Sequence, residues 1–200
     1  MKIIGLNGKA GSGKDTLADL LINHKGYTKE WHRYSFANPL RQMLSVGLGI
    51  NMDIMSDPKK KNDPKYGYMG KSARYLLQTL GTEWGRNLVD QNIWINEFER
   101  RSKYFDDNNT EGIIVTDCRF ENEADAIHKL GGIVVNITRP NNPYTKKVKD
   151  GGVESHLSEK ELPKEKIDYY LINDGKPDQL LTNFQKILNS IDLGLNNVSA

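Results

Sequence analysis

Nine residues near the start of the chain, Gly8-Lys9-Ala10-Gly11-Ser12-Gly13-Lys14-Asp15-Thr16, combine three glycines, two hydroxyls and two lysines, the second with an aspartate beside it. The chemistry that calls for this combination is the binding of a phosphate chain, whose successive negative charges need many donors. Gly8, Gly11 and Gly13 let the backbone bend tightly and turn its N–H groups inward, while Lys14 brings an ammonium to the outer phosphates. Ser12 and Thr16 add hydroxyls. Asp15 stands where serine or threonine more often follows the lysine. It either meets magnesium, directly or through water, or serves as a helix-start carboxylate favoured by the helix dipole.

Such a loop works only between a strand and a helix, and both are legible. Ile3-Ile4-Gly5-Leu6 reads as a buried strand, and Leu17, Leu20 and Leu21 as one face of a helix ending near Gly26. The helix start adds unpaired N–H groups and a positive dipole end to the anion site. Trp31 to Ala37 reads as a second strand. Asn38-Pro39 opens a helix with Leu40, Met43 and Leu44 as its buried side. Residues 50 to 70 lose periodicity and read as an exposed loop, with Lys59-Lys60-Lys61 as a solvated run.

From Ser72 the pattern returns, with Ala73, Leu76, Leu77 and Leu80 as an apolar stripe. Arg74 and Gln78 share another face. Gly81 to Arg86 is expected to break this helix, and a second one to follow with Leu88, Ile95 and Phe98 on one side. Arg74, Gln78 and Arg86 near that turn suit a substrate pocket. Ile113-Ile114-Val115-Thr116-Asp117 is a further strand, and its aspartate lies at the C-terminal end where open α/β sheets bind ligands. Arg119 follows two places on. A helix carrying Phe120, Ala124, Ile127 and Leu130 leads to the strand Ile133–Ile137, with Arg139 just after it. Residues 140 to 167 suit a lid, with Lys146, Lys147 and Lys149. Tyr169 to Asn173 is a last strand, Pro177 opens a last helix, and the tail from Asn196 looks frayed.

The sum is an α/β architecture: three layers, a parallel sheet of about five strands with right-handed crossovers, and an inserted helical hairpin. One domain over residues 1–192, with the insertion near 39–105, is expected from a length of 200. Twenty-eight basic against 26 acidic side chains give a formal charge of +2, too balanced for a nucleic-acid polymer. Cys118 is the sole cysteine, which excludes an internal disulfide and a cysteine-based zinc site. Mean hydropathy is −0.64. No apolar run reaches the roughly 18 residues of a membrane span, and no leader pattern precedes the first strand, so a cytoplasmic protein is expected.

The loop spelling Gly-x-x-Gly-x-Gly-Lys-x-Thr is nearer to nucleoside monophosphate kinases than to switch GTPases or motor ATPases. With Ser35-Phe-Ala-Asn-Pro-Leu-Arg41, Arg74-Tyr-Leu-Leu-Gln-Thr-Leu-Gly-Thr-Glu-Trp-Gly-Arg86 and Asp117-Cys-Arg-Phe-Glu-Asn-Glu-Ala124, the chain resembles the deoxynucleoside monophosphate kinases of bacteriophages over most of its length. His156-x-Ser158-Glu159 and Asn173-Asp-Gly175 add weaker support. The resemblance implies a P-loop kinase making deoxynucleoside diphosphates from monophosphates with ATP and magnesium. It maps the donor loop to Gly8 through Thr16, and the acceptor side to Arg41, Arg74, Gln78, Arg86, Asp117 and Arg119. Lys14, Asp15 and Arg119 are then the catalytic candidates, Asp15, Thr16 and Asp117 the magnesium candidates, and Arg139 a further donor-phosphate contact. The chain has no arginine after Arg139, so an arginine-bearing lid is absent. Two alternatives stay open from the residues: a kinase for another small metabolite, and a non-catalytic nucleotide switch. Accepted bases and oligomeric state, a homodimer among the options, are not legible.

Overall fold

A computed structural model describes residues 1–26, 29–106, 110–142 and 162–192. The lysines at 146, 147 and 149, His156, Ser158, most of the expected lid and the tail lie outside these. Two compact units emerge, one formed by Met1–Tyr34 with the chain from Glu99 onward, the other by Ser35–Phe98.

In the first unit the apolar runs become five parallel strands: β1 (Lys2–Asn7), β2 (Trp31–Tyr34), β3 (Gly112–Val115), β4 (Ile133–Thr138) and β5 (Tyr169–Ile172). Their order in the sheet is β2-β3-β1-β4-β5. Because side chains alternate along a strand, the sheet buries two faces. Ile4, Leu6, Ile114, Val135, Ile137 and Leu171 pack against helices α1 (Lys14–Ile22) and α7 (Pro177–Asp192) through Leu17, Leu21, Phe184 and Ile187. Gly5 faces the other way. A Cβ there would lie 2.6 Å from Ile127 Cδ1 of helix α6 (Glu121–Lys129), so glycine lets that helix sit close on the sheet. Each fully buried aliphatic side chain stabilises this core by about 1.5–3 kcal/mol.

The order places β1 in the middle, paired with β3 on one side and β4 on the other. Residue Ile4 aligns with Ile114 and Ile133. The C-terminal end of β1 is therefore flanked by the ends of β3 and β4, where the winding changes direction and ligands enter doubly wound sheets.

The second unit is helical: α2 (Asn38–Leu48), α3 (Met52–Ser56), α4 (Ala73–Gln78), a π-helical run from Thr79 to Val89, and the first part of α5 (Ile93–Asp106). Several expectations need correction here. Gly81–Arg86 does not break the helix; it continues α4 as a π-helix, and Leu88 is 79 % exposed instead of buried beside Ile95 and Phe98. Leu76 and Leu80 are only half-buried. Met43 is exposed, so α2 buries Leu40 and Leu44 alone. Residues 50–70 hold α3 and two short 3-10 turns at Lys60–Asn62 and Pro64–Tyr66, with Ile50 and Met55 buried. In the first unit α1 stops at Ile22, short of Gly26; at its end both the backbone N–H and the side chain of Asn23 donate to the Asp19 carbonyl, at 3.1 and 2.7 Å, and His24 follows the helix.

Candidate active site

The loop after β1 is shaped by what cannot fit in it. Gly8 has φ 135° and Gly13 φ 110°. A Cβ on Gly8 would run into the Ile137 carbonyl oxygen, and one on Gly13 into the amide nitrogen of Asn173. Both positions demand glycine for conformation and for space. The Leu17 N–H donating to Gly13 O at 2.9 Å starts α1. Lys14, in the first turn, is 8 % exposed, and its Nζ donates to the carbonyls of Gly8 at 2.6 Å and Lys9 at 2.9 Å, so the ammonium is drawn back over the loop.

Two asparagines orient the loop's peptide planes. Asn142, after β4, donates to the Ala10 carbonyl at 2.7 Å, and Asn173, at the end of β5, donates to the Ser12 carbonyl at 2.8 Å. In a trans peptide the C=O and the next N–H point in opposite directions. Pinning these carbonyls therefore aims the N–H groups of Gly11 and Gly13 away from the asparagines. The Ser12 hydroxyl is buried and has no hydrogen-bond partner among the described residues. A buried donor left unpaired costs free energy until something accepts from it. Glycines, pinned peptides and an orphaned hydroxyl suit a phosphate chain.

The neighbouring strand end is equally fixed. Asn136 donates to Asn7 Oδ1 at 2.6 Å, and Asn7 donates to the Cys118 carbonyl at 2.9 Å, tying β4, β1 and the turn after β3 together. The buried carboxylate of Glu123 accepts from the N–H groups of Arg119 at 2.7 Å and Phe120 at 3.0 Å. This turn carries Asp117 and Arg119, both half-buried. Burial pushes the Cys118 thiol well up, with the Glu123 and Asp117 carboxylates adding to the effect, so it stays protonated and a poor nucleophile. Asp15 and Thr16 are exposed on the first turn of α1, and Arg139 is exposed just beyond β4. Hydroxyl and carboxylate oxygens of this kind suit magnesium, which commonly takes one or two carboxylates together with phosphates and water.

In the helical unit, Arg74 and Gln78 lie on α4 and Arg86 on the π-helical run, not in a turn between helices. Arg86 Nη1 donates to the Gln91 carbonyl at 3.3 Å. Gln78 Nε2 and, on α2, Arg41 Nε are buried with no hydrogen-bond partner among the described residues. Trp94 is core, 5 % exposed, with Nε1 donating to the Gly81 carbonyl at 2.8 Å, whereas Tyr66, Tyr68 and Trp84 are exposed. Asn7, Asn142 and Glu123 escaped the sequence reading. Only Glu123 had a local signal, an acidic residue in the first turn of α6.

The sheet order, the glycine loop opening α1 and the anchored lysine define a three-layer P-loop fold of the kinase type. Residues 61–184 match the deoxynucleotide monophosphate kinase family, and the chain belongs to it. The deoxynucleoside-5'-monophosphate kinase of Escherichia phage T5 is 28% identical, aligning over 86% of this chain and 89% of its own. A protein of Acanthamoeba polyphaga mimivirus assigned as a deoxynucleotide monophosphate kinase is 31% identical over 96% of this chain and 97% of its own. Among solved structures, a dephospho-CoA kinase from Campylobacter jejuni shares the fold, with a TM-score of 0.50 and 15% identity, covering 97% of this chain and 99% of that one.

Proposed function

We propose that this chain is an ATP-dependent deoxynucleoside monophosphate kinase, moving the γ-phosphoryl group of ATP to the phosphate of a deoxynucleoside monophosphate. The observation that carries the donor half is the loop of pinned peptides around Lys14. The family match carries the acceptor. Phosphoryl transfer needs alignment and charge stabilisation more than covalent help from the protein. An acceptor phosphate is already ionised at neutral pH, so no strong base is required. Cations must instead relieve the repulsion between two anions.

Lys14 and the N–H groups of Gly11 and Gly13 hold the donor phosphates in this scheme, with Gly8, Ser12 and Thr16 completing the cradle. Arg119 and Arg139 neutralise the phosphoryl oxygens, and Arg41, Arg74, Gln78 and Arg86 take the acceptor. Asp117 joins the acceptor side or a metal. Asp15, Thr16 and Asp117 are the residues that would hold magnesium or its waters, and the ion would supply positive charge to offset that of the phosphates. No helix among the described residues is long and apolar enough to cross a membrane, and we place the activity in the cytoplasm with the nucleotide pools. The alternatives of a kinase for another metabolite and of a nucleotide switch draw no support from the relatives.

A coupled ADP-release assay across the four common deoxynucleoside monophosphates and their ribo counterparts tests this. ADP release that requires a deoxynucleoside monophosphate is expected. Lys14→Ala should lower it on the order of a hundredfold or more with the fold retained. ADP release indifferent to the acceptor, or a Lys14→Ala variant near wild type, would overturn the assignment.

A further inference from the structure

The helical unit holds a winding that is rare in proteins. From Thr79 to Val89 the backbone is π-helical, with hydrogen bonds reaching one residue further than in an α-helix. In an α-helix four residues advance about 40° past a full turn, so a row of side chains spaced by four drifts steadily around the axis. A π-turn takes more residues, four of them fall short of a full turn, and the drift reverses. On a helix that begins as α and continues as π, residues four apart therefore stay in line.

Burial records this alignment. Ala73, Leu77, Gly81 and Gly85 are all buried, and beside them Arg74, Gln78, Thr82 and Arg86 are each buried or half-buried. Tyr75, Glu83, Trp84, Asn87 and Leu88 are exposed. The first row is seated by its neighbours. A Cβ on Gly81 would lie 3.0 Å from Leu40 Cδ1, and one on Gly85 would lie 2.5 Å from Trp94 Cζ2. The Trp94 indole also donates to the Gly81 carbonyl at 2.8 Å. The second row is polar throughout, a guanidinium at each end with an amide and a hydroxyl between. Thr82 is 6 % exposed, and the buried Gln78 Nε2 beside it has no partner among the described residues. A buried amide donor without a partner is what a ligand oxygen would satisfy.

We infer that the π-helical run is a registering device for the acceptor site, that Thr82 is a fourth member of the row, and that its hydroxyl bonds an oxygen of the bound nucleoside monophosphate. Trp94 is the positioning residue that holds the register through Gly81. The inference deepens, and rests on, the kinase assignment above. Thr82→Val keeps the shape and removes the hydroxyl; Thr82→Ser keeps the hydroxyl. Trp94→Phe keeps a ring and removes the N–H.

The experiment is steady-state kinetics of wild type and these variants, with acceptor and ATP varied separately and melting curves alongside. Thr82→Val should raise the KM for the monophosphate about fivefold to tenfold, the worth of one hydrogen bond. The KM for ATP and kcat should stay within about twofold of wild type, since uniform binding is lost and not transition-state stabilisation. Thr82→Ser should stay near wild type, and Trp94→Phe should raise the acceptor KM without moving that for ATP. An active wild type with Thr82→Val unchanged, or with valine and serine equally impaired, overturns the role of Thr82. An unchanged acceptor KM in Trp94→Phe overturns its positioning role. A wild type silent on every monophosphate overturns the kinase assignment itself, which separates the two failures.

Discussion

The amide of Asn173 does two things: it donates to the Ser12 carbonyl, and it occupies the space a side chain at Gly13 would need. Its removal should therefore loosen the donor cradle without touching the acceptor. Asn173→Ala is expected to weaken ADP binding in calorimetry about fivefold to tenfold, a hydrogen bond's worth, while monophosphate affinity is unchanged. Equal loss for both ligands would mean the asparagine serves general stability. This bond joins residues 161 apart in sequence, and the Asn142 bond residues 132 apart. That distance is why neither was legible. A glycine's need for positive φ is written in its own neighbourhood, and so is a lysine opening a helix. The partner of a loop carbonyl is chosen by the sheet order, which no local pattern contains. Glu123 falls between these cases. A carboxylate in the first turn of a helix is expected to meet backbone N–H groups, as it does with Arg119 and Phe120.

At the scale of elements, strands were read well because continuous apolar runs between turn residues have few other uses. The helix from Ala73 departs from the pattern its residues suggest, for a specific reason. Gly81 and Gly85 are poor helix formers, so a break was expected. In the fold they are the points where Leu40 and Trp94 come close, and packing outweighs propensity. The period of four in Ala73, Leu77, Gly81 and Gly85 was present in the sequence, but it matches neither a strand nor an ordinary helix. These two accounts of Gly85 disagree in sign. Propensity alone says Gly85→Ala stabilises by roughly 1 kcal/mol. The close approach of Trp94 says it destabilises by about 1–3 kcal/mol, as overpacking does. Urea denaturation should show a lower midpoint for Gly85→Ala; a higher one would contradict the packing described.

For the whole molecule, the parallel sheet and its helical layers were foreseen, whereas the strand order was not. Alternation of strands and helices implies parallel pairing, but which strands are neighbours depends on contacts between distant segments. With β1 between β3 and β4, the loop, the Asp117–Arg119 turn and the Arg139 turn all leave from adjacent strand ends. The residues proposed to take the acceptor, Arg41, Arg74, Gln78 and Arg86, belong to the helical unit. The most direct measurement is the fate of the transferred group. ATP labelled at the γ-phosphate is incubated with protein and a deoxynucleoside monophosphate, and the products are separated by anion exchange. Label in the deoxynucleoside diphosphate, one for each ADP formed, is the expected result. Label in inorganic phosphate alone, at a rate independent of the acceptor, would contradict it.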